Sequence, residues 1–240
     1  MRPRAPRVIA ACVAGLVATA VWEGLASAQP PDPALLARLA KQSDGFDALY
    51  KRATFKMQEV LDELDGDGKV ASHKVAASHV VVQGDARHEI VDRCTKDGED
   101  CTAKEQEEAR EHEAKKKDDS EKLRSPFDTA EQPNYVFDQK EVDKTDASRV
   151  KIAFTPKNPD KHSVEGSAWV DTNTGTVISA SVRMVKTPTF VDWVHVAVEL
   201  AATTPLGPAL SRMTIEGQGG FWFIVHKHFR VEITFSDYHL

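Results

Sequence analysis

Two patterns in this 240-residue chain place metal-ligating side chains at workable spacing. The first is His226-Lys227-His228. On an extended chain, residues two apart point the same way, so both imidazoles reach one zinc ion if a neighbouring strand supplies a third ligand, for which His195 is the candidate. The plain alternative is the polar face of an amphipathic strand, and no metal or other cofactor is assigned. The second pattern is LDELDGDGKVASHK, residues 61–74, where Glu63, Asp65 and Asp67 match the first ligand positions of a calcium loop, Gly68 the sharp turn and Val70 the apolar anchor. Lys74 then stands where a bidentate glutamate is required, which removes two oxygens and adds repulsion. The flanks alternate with period two, through Ala53, Phe55, Met57 and Leu61 before the acidic stretch and Val75, Ala77, His79 and Val81 after it. Asp-Gly pairs suit a tight hairpin, so a turn is expected, with surface calcium binding as the minor alternative.

Covalent chemistry has less to stand on. No G-x-S-x-G elbow, H-E-x-x-H pair or glycine-rich phosphate loop is present. Gly-Gln-Gly-Gly at 217–220 has no following helix and reads as a turn or bulge. An enzyme is therefore not expected, and a zinc-dependent one on the His226/His228 face is the outlying alternative. Cys94 and Cys101 flank a polar turn centred on Asp97 and Gly98. In an oxidising compartment such a pair closes as a disulfide across a hairpin neck, contributing about 2 to 3 kcal/mol on the chain-entropy model.

The compartment follows from the first residues. Arg2, Arg4 and Arg7 precede an apolar run over 8–22 and the small-residue pattern Ala26-Ser27-Ala28, the layout of a signal peptide cleaved before Gln29. The run is shorter than the roughly 20 residues of a spanning helix. Only four residues separate Arg7 from Cys12, too few for a lipid-attachment box. Loss of residues 1–28 takes the net charge from -6 to -8. That balance argues against nucleic acid as a partner, because phosphate contacts need a basic stripe. The rest, 29–240, suits one domain.

Asp32 and Pro33 signal a helix start, and Leu35, Leu36 and Leu39 form a narrow apolar stripe ahead of Gly45, so a short helix is expected there. Residues 102–124 are almost without apolar side chains, with acid-before-base spacing at Glu111/Lys115 and Glu113/Lys117, and read as a charged helical or partly disordered insertion. About ten strands with short links are expected, paired antiparallel because the links are too short for crossovers. In the last strand one parity reads Phe221, Phe223, Val225, Lys227, Phe229, Val231, Ile233, Phe235, and the other is mostly polar. Phe190, Val194, Val196, Val198 and Leu200 repeat the pattern. Such one-sided strands need a cover, from curling of the sheet, from a second sheet, or from a helix or ligand.

The order of these features, with DGDGK at 65–69, Phe154-Thr155-Pro156-Lys157, WVDTNTGTV at 169–177 and Phe235-Ser236-Asp237-Tyr238, resembles exported bacterial proteins of the LolA-like superfamily, related to outer-membrane lipoprotein-sorting carriers. The resemblance implies a mainly β (α+β) fold, a single curved antiparallel half-barrel whose concave apolar face is plugged by helices. It also implies a periplasmic protein that holds a lipid or the acyl chain of a lipoprotein. Secretion or outer-membrane association are the alternative locations. The expected ligand-facing residues are Phe223, Val225, Phe229, Ile233, Val194 and Val196. The other function class is a structural, interaction or stress-sensing protein of the cell envelope, with the same sheet filled by its own side chains and an envelope protein as partner.

Overall fold

The structure is a computed structural model that describes residues 29–83, 86–115, 125–187, 191–221 and 225–240, without the side chains of 47, 112–115, 220, 221, 225 and 226. Asp32 caps the first helix, α1 (Pro33–Arg52), its carboxylate accepting from the Ala34 amide at 2.9 Å. The helix does not stop at Gly45 but runs on to Arg52. A mid-helix glycine costs about 1 kcal/mol. Phe46, Leu49 and Tyr50 continue the stripe at three- and four-residue spacing, and burial of Leu49 alone offsets that cost.

Eleven strands form one antiparallel sheet. The chain makes β1 (Thr54–Leu64), β2 (Val70–Gln83), β3 (Ala86–Lys96) and β4 (Glu99–Asp100), crosses helix α2 (Thr102–Lys115), then makes β5 (Tyr135–Val142), β6 (Arg149–Pro156), β7 (Val164–Asp171), β8 (Thr176–Met184) and β9 (Val191–Glu199). A small separate hairpin, β10 (Ala202–Thr204) and β11 (Gly207–Ala209), precedes β12 (Arg212–Phe221) and β13 (Val225–His239). The order across the large sheet is β4-β3-β2-β1-β13-β12-β9-β8-β7-β6-β5. It is two meanders joined through the last hairpin, with β13 paired to β1 and β12 to β9. The sheet stays open, with edges at β4 and β5, and is the half-barrel that the resemblance implied. The ten strands read from sequence are ten of its eleven; β4, two residues long, carries no alternation to read.

Residues 65–69 form the turn between β1 and β2. Asp65 Oδ1 accepts from the amides of Asp67 and Lys69, both at 2.9 Å, and Gly68 sits at φ 77°. The Asp65 carboxylate is thus spent on the turn itself. Of the two readings of residues 217–220, the bulge holds and the turn does not: they lie inside β12, with a register shift against β9 between Gln218 and Gly219, and β12 is paired to β13 at Phe221 and Val225.

α1 lies along one face of the sheet and divides its core in two. Leu35 and Leu39 pack on Phe127, Tyr135, Ile152 and Phe154 from the β5–β8 side. Leu49 and Ala53 pack on Phe55, Val80, Leu210 and Phe235 from the β1–β2–β13 side. Polar contacts hold the helix to its neighbours: Gln132 Nε2 donates to the Leu36 carbonyl at 2.7 Å, Arg38 to the Thr172 carbonyl at 2.8 Å, and Ser43 Oγ to Asp128.

The charged insertion is helical over Thr102–Lys115, and residues 116–124 lie outside the described part. α2 rests on β3 with little apolar surface, through Cys101 and Ala109 against Ala76, Val91 and Cys94. The Cys94–Cys101 disulfide, Cα atoms 5.0 Å apart, roots it. Gln106 Nε2 donates to the Val91 carbonyl at 2.9 Å, and Lys74 Nζ lies 2.9 Å from Glu105.

Candidate functional site

Register alone assembles a continuous apolar floor. In the cross-strand row through Gly217, Val194 of β9 and Phe229 of β13 are its two partners, and Glu63 of β1 follows. The next row runs Val182, Val196, Ile215, Val231, Leu61 and Lys74. A third runs Ala180, Val198, Met213, Ile233, Glu59 and Ala76. Because residues two apart share a face, all three rows lie on the side that carries α1. Val198, Met213 and Ile233 pack against the second core. Among the described residues, Val194, Val196, Ile215 and Phe229 belong to no packed cluster and are only half-buried.

Phe229 lies flat because of Gly217. A Cβ on Gly217 would stand 2.6 Å from Phe229 Cζ and 3.2 Å from the Trp193 carbonyl oxygen, so only glycine lets the ring rest on the backbone of β12. The alternation of Met213, Ile215 and Gly217 was the available signal for this part of the floor, and it is invisible until β12 is known to lie beside β13.

Two cavities flank the floor. One of about 160 Å³ lies towards α2, lined by Met57, Ile233, Ala76, Val91, Glu59 and Glu105 among others. The other, about 310 Å³, lies beyond the last β8–β9 pair, lined by Glu165, Arg183, Met184, Asp192, Trp193 and Val194 among others. Arg183 and Glu165 clasp each other beside it at 2.6 Å.

Charge is confined to the borders. Lys74, whose side chain is 17% exposed, sits between Glu105 at 2.9 Å and Glu59 at 3.4 Å. Burial opposes its charge, but the hydrogen bonds and fields of the two carboxylates outweigh burial and raise its pKa above the ordinary lysine value. The same Lys74 that broke the calcium pattern thus joins α2 to β1. At the mouth, the hydrogen bond from Lys227, 2.8 Å long, lowers the pKa of Glu63 below the usual range, with Lys96 at 3.9 Å assisting.

Of the residues expected to face a ligand, Val194, Val196, Phe229 and Ile233 share this floor; Phe223 lies outside the described residues, and Val225 is described only as a strand position paired with Phe221. His195 and His228 lie on the opposite face. His195 and His228 are opposite Glu216 and Gln218 respectively, with β12 between them. His195 Nε2 is 2.7 Å from Ser181 Oγ, and the His228 ring meets Trp193 edge-on at 5.6 Å. His195 is thus engaged with Ser181, whereas His228 Nε2 is buried without a hydrogen-bond partner among the described residues, and the side chain of His226 is outside them. Among the described residues no cluster of three or more His, Cys, Asp or Glu has metal-holding geometry.

No protein-family model and no curated protein matches the chain. Solved structures with a similar chain path include a DUF1329 family protein from Desulfovibrio piger, at 12% identity over 88% of this chain and 93% of that one, with a TM-score of 0.39. A MucA/MucB complex from Pseudomonas aeruginosa matches at 12% identity over 82% and 93%, with a TM-score of 0.23. A putative outer membrane lipoprotein-sorting protein domain from Vibrio parahaemolyticus matches at 11% identity over 85% and 91%, with a TM-score of 0.38.

Proposed function

We propose that this is a non-enzymatic binding protein, exported to the periplasm through a cleaved leader, that holds a lipid or lipoprotein acyl chain against the inner face of its half-barrel. One observation carries the reading: Val194, Val196, Ile215 and Phe229 make a continuous apolar surface that α1, α2 and the β10–β11 hairpin leave half-open, while α1 packs the same face into two cores elsewhere. Burying that surface under an aliphatic chain is favourable by about 25 cal/mol per Å². Charge at the borders keeps a polar head in water and an apolar chain on the floor. Ile233, and beyond it the cavity beside α2, extend the floor at one end.

Titration with a fluorescent fatty acid tests the proposal. The protein is expected to bind, and Val196→Glu or Phe229→Glu to weaken binding at least tenfold, because a carboxylate on the floor loses hydration when the chain lands. His195→Ala, on the outer face, leaves affinity unchanged. Absence of probe binding by the unaltered protein, together with a ligand-free mass in native spectrometry after export, would sink the proposal.

A further inference from the structure

We propose that the exported chain starts at Gln29 and that this glutamine closes on itself to pyroglutamate; the inference rests on the export reading above. The Gln29 side chain is exposed, and its carbonyl oxygen accepts from the Gln139 amide at 2.8 Å, bridging it to β5. Pro30, Pro31 and the Asp32 cap follow at once, so the new end is held against the sheet and does not trail from it.

In the closure, the α-amine nitrogen attacks the side-chain amide carbon Cδ. The N–Cδ bond forms, the Cδ–Nε2 bond breaks, and the amide nitrogen leaves as ammonia with a proton from the amine. Nothing is oxidised and no co-reactant is needed. The five-membered ring uses only N, Cα, Cβ, Cγ and Cδ of residue 29, so the carbonyl bond to β5 survives. A free α-amine, with a pKa of about 8, would be largely protonated at neutral pH, whereas the lactam is neutral. β5 is an outer edge of the large sheet, and residue 29 covers it at Gln139. A lactam end resists stepwise trimming by aminopeptidases, so this cover on a pairing-competent edge is retained.

The test is the intact mass of the full chain, residues 1–240, expressed in an exporting bacterium and held for several days at 37 °C. The expected mass is that of residues 29–240 less about 17 Da for ammonia, and less about 2 Da for the disulfide. Gln29→Ala shows only the disulfide loss, and stepwise N-terminal sequencing reads the variant but not the parent. A 29–240 chain that keeps its ammonia overturns the closure and leaves export standing. An uncut chain, or one starting elsewhere, overturns the export site and the closure with it.

Discussion

Lys74 shows how one side chain serves two elements. It is the cation between Glu59 on β1 and Glu105 on α2, so removing it leaves two carboxylates facing each other in a partly buried place. Lys74→Met should destabilise the protein by about 1 to 3 kcal/mol in urea at neutral pH, with Glu105→Gln in the same chain restoring part of the loss. Its raised pKa means the contribution is complete below the ordinary lysine value and disappears as pH rises through the higher folded value. The alkaline unfolding limb should therefore flatten in the variant. Glu63 has the opposite sign: its lowered pKa gives stability above the ordinary glutamate value that is lost as pH falls through the folded one. At Gly217, an alanine would drive the Phe229 ring off β12 and into the open floor. We expect about 1 to 3 kcal/mol of destabilisation and weakened fatty-acid binding. Phe229→Ala in the same chain should relieve the clash, and additive losses in that double variant would contradict the packing described.

At the scale of elements, the two helices hold on by different physics. α1 is an amphipathic plug: Leu39 and Leu49 are almost fully buried, and truncating either to alanine should cost about 2 to 5 kcal/mol. α2 has scarcely any apolar face and depends on its root and on the Lys74 clasp. Cys94→Ser with Cys101→Ser should cost about 2 to 3 kcal/mol. Hydrogen exchange should show amide protection lost over residues 102–115 before it is lost over α1; equal loss in both helices would contradict separate anchoring. Sequence patterning made α1's start legible, through Asp32, Pro33 and the leucine stripe, but not its end. Gly45 is a local stop signal that the burial of Leu49 overrides, and that burial exists only once β1, β2 and β13 meet. The docking of α2 was hidden for the same reason, since apart from Ala109 and the disulfide root its contacts are single polar groups reaching across from β2 and β3.

For the whole molecule, β13 is the seam. It pairs with β1, from the other end of the chain, along nearly its whole length, and with β12 on its other side. Deleting residues 225–240 should leave two meanders with exposed strand edges and give an aggregated product, whereas deleting only Leu240, which is exposed and outside every strand, should leave the melting temperature unchanged. Contacts so distant in sequence also predict slow refolding for the domain, read as a stopped-flow phase slower than that of a helical bundle of equal size. The sequence by itself determined the strand alternation, the disulfide pair and the DGDG turn, because each depends on neighbours a few residues apart or on one repeated period; the half-barrel class came from the resemblance, since alternation alone leaves the cover of the apolar face open. Only the tertiary structure decided that Val194, Val196, Ile215 and Phe229 share one half-open surface, and that β12 lies between His195 and His228. Those facts depend on which strands lie side by side and in what register, and pairing energy is spent between segments whose separation along the chain carries no local signal.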